Sequence, residues 1–193
     1  MENTSVLPAG YAELAHIDFQ NDRKLAVFIN VLSLATAAAM IAAAAVCVPF
    51  RLLPDADDST VNLIRPVTLL TGILLYTVLH ELVHGAFMKH LSGRRADYGF
   101  TGLYPYAGSR AYFSKKDDII ISLAPVVILG TALAVLNFAT PADWFWVVYL
   151  TQTVNISGAV GDGYVACRIC GMPPDILVHD AGVSMTIYSR TQK

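Results

Sequence analysis

His80, Glu81 and His84 belong to the string His80-Glu81-Leu82-Val83-His84, an H-E-x-x-H pattern. On an α-helix, residues four apart lie on one face about 6 Å apart, so the two imidazoles can share one tetrahedral metal ion. Glu81 sits about 100° round the helix, beside such an ion. From there its carboxylate can take a proton from an attacking water and hand it to a leaving amine. The chemistry is metal-assisted hydrolysis of an amide, and a His and carboxylate ligand set favours Zn2+. A catalytic zinc takes three protein ligands and keeps one position open. Glutamate does not supply the third, because Glu2 and Glu13 precede the motif and none follows Glu81. His90 has the spacing of the last histidine in H-E-x-x-H-x-x-G-x-x-H, but that pattern turns at a glycine and position 87 is Phe87. On an unbroken helix His90 faces away. Asp162 is the other candidate.

The elements that must position these groups are strongly apolar. The chain has 193 residues, 55% hydrophobic and 15% charged, with 13 Lys and Arg against 15 Asp and Glu for a net charge of −2. Soluble domains carry about 25% charged residues. A soluble enzyme and a disordered tail are both disfavoured, and no basic field exists to hold nucleic acid. The three cysteines, Cys47, Cys167 and Cys170, cannot form a paired disulfide framework, and the single C-x-x-C supplies only half a zinc–sulfur site. Four apolar runs, 25–48, 66–88, 119–139 and 144–167, each reach the roughly 20 residues that cross a bilayer. The first is too long for a signal-peptide core and follows an acidic leader. The expected fold is mainly α, a polytopic membrane protein of four transmembrane helices forming one domain over 1–193. A small cytoplasmic β-hairpin or loop region fills 89–118, and a cytoplasmic tail runs from 168 to 193.

Orientation follows from the basic residues. With both termini cytoplasmic, only Arg51 and Arg65 of the 13 Lys and Arg face outward, beside an acidic cluster at Asp55, Asp57 and Asp58. This predicts a multi-pass protein of the cell membrane. Trp144 and Trp146 stand where the fourth run enters, as interfacial anchors do. Two aromatic and glycine-rich stretches, 96–104 and 110–113, flank a turn at Pro105 and Gly108, and the segment 176–188 reads as one further strand.

Within the runs the ionisable side chains are His80, Glu81, His84 and Asp162. Such groups are costly in hydrocarbon and mark functional sites. Counted from the expected inner helix ends, His80, His84 and Asp162 lie roughly 12, 6 and 8 Å deep, a common level. Thr151, Asn155, Gly158 and Asp162 form one polar and small face. Asn155 either holds an extended substrate or makes an interhelical hydrogen bond. Against the metal reading stands a hydrogen-bonded polar knot joining two helices.

These features resemble the putative zincin peptidase family of bacterial membrane proteins, related in plan to the site-2 proteases. The resemblance rests on His80-Glu81-Leu82-Val83-His84-Gly85, Tyr98-Gly99-Phe100, Leu123-Ala124-Pro125 and the stretch from Asn155 to Gly163 with its Gly161-Asp162-Gly163. In site-2 proteases an aspartate of a later span completes the zinc site, and Asp162 stands in that place. The resemblance implies a zinc metalloendopeptidase. Its metal ligands are His80, His84 and Asp162, and its acid–base is Glu81. The substrate is a membrane or membrane-adjacent protein, cut near the cytoplasmic face while held extended by strand addition to the hairpin. A metal transporter or sensor and a non-catalytic scaffold with a structural metal are the competing readings. Clustering of the polar groups near one side of the membrane argues against a conduit.

Overall fold

Asp22 opens the first long helix, α1 (Arg23–Cys47), by accepting hydrogen bonds from the main-chain N–H groups of Lys24 and Leu25. This side chain satisfies donors that the first helical turn leaves without partners. The computed structural model describes residues 3–50, 52, 61–102 and 104–191. Arg51, the acidic cluster at 55–58 and Lys193 lie outside the described residues. Helix α2 (Val61–Ser92) carries the H-E-x-x-H string, and α3 (Lys115–Ala139) is capped by the Ser114 hydroxyl, which accepts from the Asp117 N–H. Among the described residues, three helical stretches, Arg23–Cys47, Leu63–Ser92 and Lys115–Ala139, are long and apolar enough to cross a membrane. The chain is mostly helical, with a small sheet region.

The fourth apolar run departs from the continuous helix expected over 144–167. It folds as α4 (Phe145–Gly158) and α5 (Val160–Cys170), interrupted at Ala159, after a single 3-10 turn at Ala142–Trp144. Glycine weakens a helix interior, and Gly158, Gly161 and Gly163 crowd this junction. The Asn155 carbonyl there accepts from both the Ala159 N–H and the Tyr76 hydroxyl. Helix α3 packs against α2, α4 and α5, while α1 packs against α4 and α5. Tyr149 donates from its hydroxyl to the Met40 carbonyl, and Phe28 meets Tyr164 edge to face, which fastens α1 to both.

The extended segments are richer than expected. Strands β2 (Asp97–Phe100) and β3 (Pro105–Gly108) form an antiparallel pair, so Pro105 starts a strand instead of marking a turn. Proline is tolerated as the first residue of a strand. The next strand, β4 (Tyr112–Ser114), leaves that pair and joins a second sheet, of order β1-β6-β5-β4. Here β1 (Tyr11–Asp18) comes from the leader, and the tail supplies two strands, β5 (Leu177–Asp180) and β6 (Ser184–Arg190). Ile17, Val165, Ile169, Ile176, Val178 and Ile187 bury one face of this sheet against α5. A second cluster of Met88, Ala111, Phe113 and Ile121 joins the end of α2 to β4 and α3.

Candidate metal centre

Helix α2 presents His80 and His84 one turn apart, with their Nε2 atoms 3.2 Å from each other. Asp162, in the first turn of α5, faces both: Oδ2 is 3.2 Å from His80 Nε2 and Oδ1 is 3.5 Å from His84 Nε2. The separations can be tested against a metal. Four ligands held tetrahedrally at about 2.0–2.1 Å from zinc stand about 3.3 Å from one another. The two imidazole nitrogens stand at nearly that distance from each other, each stands near it from one oxygen of the Asp162 carboxylate, and one ligand atom from each of the three residues lies within 4.8 Å of the others, at the wall of a cavity. Among the described residues this is the one group of three His, Cys, Asp or Glu side chains with ligand geometry.

The opposite ring nitrogens explain why both Nε2 atoms are free. His84 Nδ1 lies 3.0 Å from the Ile121 carbonyl, which can only accept, so Nδ1 carries the proton. Tyr76, one turn before His80, donates its hydroxyl hydrogen to the Asn155 carbonyl at 3.4 Å. Its oxygen therefore accepts from His80 Nδ1, 3.1 Å away. Metal-binding histidines are oriented in this manner, by an oxygen acceptor on the far nitrogen. Nothing in the sequence pattern singled out Tyr76. The signal was its i−4 spacing from His80, which puts both side chains on one helix face.

His80, His84, Glu81 and Asp162 open onto a cavity of about 460 Å³. Its walls come from α1, the segment Tyr104–Ala107, the α4–α5 junction and the turn after β5. Glu81 is not a member of the triangle. Its carboxylate faces the main chain of β3 at Ala107. Close packing fixes that wall. A Cβ on Gly85 would fall 2.0 Å from the Tyr98 hydroxyl, and one on Gly108 would fall 2.6 Å from the Ala181 carbonyl carbon. Glycine at these two positions lets β2 dock on α2 and β3 dock on the β5–β6 turn.

Asn155 is fully buried. Its Nδ2 donates to Gln152 Oε1, and the amide lies against α3 at Gly130, on the side away from the cavity lining. That side-chain hydrogen bond stays within α4 instead of joining two helices, and Asn155 meets the site through its main-chain carbonyl. His90 is exposed near the end of α2 and takes no part. Cys47, Cys167 and Cys170 are free and exposed.

Two further carboxylates stand close by. Asp180, in β5 and outside the apolar helices, lines the cavity and accepts from the Gly182 N–H. Burial pushes its carboxyl up to about 6, against the lowering effect of that hydrogen bond. Asp118, in the first turn of α3, is 1% exposed, and neither of its carboxylate oxygens has a hydrogen-bond partner among the described residues. In sequence Asp118 reads as the charged boundary of a span, and His179-Asp180 as a solvated strand or turn, or as a pair supporting the site if the tail folds back. The tail does fold back. Asp180 turns inward while His179 stacks on Tyr112, with ring centroids 5.2 Å apart.

A family model described as putative zincin peptidase matches residues 73–177, more than half of the chain. No curated protein and no solved structure gives a significant match.

Proposed function

The chain belongs to the putative zincin peptidase family, and on that footing we propose that it is a zinc-dependent metallopeptidase of the membrane, of the H-E-x-x-H type and similar in plan to the site-2 proteases. Its substrates are membrane or membrane-adjacent polypeptides cut near the cytoplasmic face. The observation that carries this reading is the triangle of His80 Nε2, His84 Nε2 and Asp162 carboxylate at the wall of a cavity, with both Nδ1 atoms committed elsewhere. His80, His84 and Asp162 hold the ion. When bound, zinc supplies Lewis-acid polarisation of water and of an amide carbonyl.

Glu81 is placed beside the triangle to accept a proton from the attacking water and to deliver it to the departing amine nitrogen. Tyr76 and the Ile121 carbonyl hold the two imidazoles in the tautomer that leaves Nε2 free. A helical substrate keeps its carbonyls in its own hydrogen bonds and must unwind before it can be cut. The segment Tyr104–Ala107 offers the unwound stretch a strand edge beside Glu81. Asn155 contributes its carbonyl to Tyr76 and has no direct substrate contact in this scheme.

The sheet supports a four-crossing arrangement in the cell membrane with both ends cytoplasmic. Strand β1 precedes α1, β4 lies between α2 and α3, and β5 and β6 follow α5, yet all four share one sheet. Segments of one sheet lie on one side of a bilayer. Helices α1 and α2 therefore cross as a pair, and the outward passage of α3 is returned by α4 and α5 together. The distribution of Lys and Arg puts that side in the cytoplasm. Sheet and helices then work as a single unit.

The test compares wild type with Glu81→Gln, purified in detergent and incubated with a quenched-fluorescence peptide library. Cleavage is expected to fall by about 10²–10⁴-fold while bound zinc stays equal. Equal cleavage by the two proteins, or zinc in neither, would overturn the proposal.

A further inference from the structure

Helix α1 has no charged residue beyond its first turn, yet it turns two polar side chains to the cavity, Asn30 and Ser33. With Ala26 and Ile29 they make the cavity-facing stripe of the helix, at the i, i+3, i+4, i+7 spacing of one face. Among the described residues neither Asn30 nor Ser33 has a hydrogen-bond partner. In a segment that crosses a bilayer, polar groups need partners, because lipid offers none. The Tyr149 hydroxyl, on the neighbouring α4, does find an acceptor on this helix, at the Met40 carbonyl.

The level of these groups matches that of the centre. Asn30 lies seven residues from the start of α1 at Arg23, roughly 10 Å. Asp162 lies eight residues from the end of α5 at Cys170, roughly 12 Å. Gly161 and Asp162 line the same cavity as the α1 stripe. A Cβ on Gly161 would meet no atom within 4 Å, so the space between the helices is open at the height of the carboxylate.

An amide side chain and a hydroxyl placed three residues apart offer one donor–acceptor pair and one further donor or acceptor. They can serve successive main-chain groups of an extended peptide. Resting on the metallopeptidase reading above, we propose that Asn30 and Ser33 form a peptide-binding subsite. It holds the main chain of the substrate from the α1 side while the segment Tyr104–Ala107 holds it from the other. The alternative occupant is water alone, entering toward the centre along α1.

Two metal-seeking probes separate these cases. Acetohydroxamate carries the zinc-binding head alone; a leucyl-peptide hydroxamate carries the same head on an extended main chain. Their affinities are compared on zinc-loaded wild type and on Asn30→Leu, Ser33→Ala and the double variant, in detergent. The peptide probe should bind wild type more tightly, and the double variant should lose about 10-fold of that advantage. Acetohydroxamate affinity and zinc content should stay constant, which also reports that the variants are folded. Ser33→Thr should restore its share, and Leu34→Ala, on the exposed side of α1, should change nothing. An unchanged advantage in both single variants and the double variant would overturn the subsite and assign these groups to water. Failure of wild type to take zinc or either probe would instead overturn the metallopeptidase reading, and the subsite with it.

Discussion

Tyr76→Phe isolates one hydrogen bond at the centre. The substitution removes the oxygen that accepts from His80 Nδ1 at 3.1 Å and leaves the ring of Tyr76 in its buried place. His80 is itself only 8% exposed, so its freed N–H has no ready access to water. Leaving such a donor unsatisfied costs about 1–3 kcal/mol, and tenfold in affinity corresponds to about 1.4 kcal/mol. The imidazole can relieve that cost by turning or by moving its proton to Nε2, and either change competes with metal binding. Zinc affinity should therefore fall by about 10–100-fold, the range seen when the oxygen partner of a metal-bound histidine is removed. The measurement is competition with a chromophoric chelator on protein purified in detergent, at one pH. A Co2+ spectrum beside it reports ligand geometry. Thr77→Val is the control, because it also removes a hydroxyl from α2, one whose bond goes to the Ile73 carbonyl of the same helix. Affinity within twofold of wild type and an unaltered Co2+ spectrum for Tyr76→Phe would refute the claim that Tyr76 holds His80.

Asp162→Ala removes a corner of the triangle and should weaken zinc binding by more than the roughly 100-fold ceiling of an outer-sphere change; stoichiometric zinc after dialysis would argue for a different third ligand. Asp180→Asn should stabilise the metal-free protein in a pH-dependent way. The folded carboxyl keeps its proton up to about 6, whereas the unfolded one releases it near 3.8. Stability is thus complete below that lower value and is lost as pH rises through about 6. The two-unit difference amounts to about 3 kcal/mol, and asparagine, which can still accept from the Gly182 N–H, does not incur it. Melting in detergent with a chelator present should show the variant gaining over wild type at pH 7.5 and matching it near pH 4. An equal gain at both would point to packing instead of ionisation.

The H-E-x-x-H string was legible because its geometry is local. His80 and His84 need only one helix, and a hydrophobic helix makes their presence conspicuous. Asp162 was legible by depth, since counting residues from helix ends brings it level with the histidines. The four apolar runs were legible as well, although the interruption at Ala159 was not. At that junction Tyr76 reaches across from α2 to the Asn155 carbonyl, a contact between residues 79 apart in sequence. Long-range pairing hid the rest. The leader strand β1 has as its partner β6 at the far end of the chain, and Tyr112 belongs with His179 instead of with the nearby hairpin. Asp118 and Asp180 carry ordinary boundary and strand sequences, and the fold buries both.

The wall of the cavity is assembled from pieces made at very different times. The motif helix and the hairpin emerge from the ribosome early, but the hairpin is braced by Ala181 and Gly182, which emerge only after the last apolar helix. A nascent chain whose later helices are still being inserted possesses the two imidazoles without their carboxylate and without a closed chamber. The group of two imidazoles and one carboxylate is therefore complete only after α5 has been made, and its cavity wall only after the β5–β6 turn has docked on the hairpin.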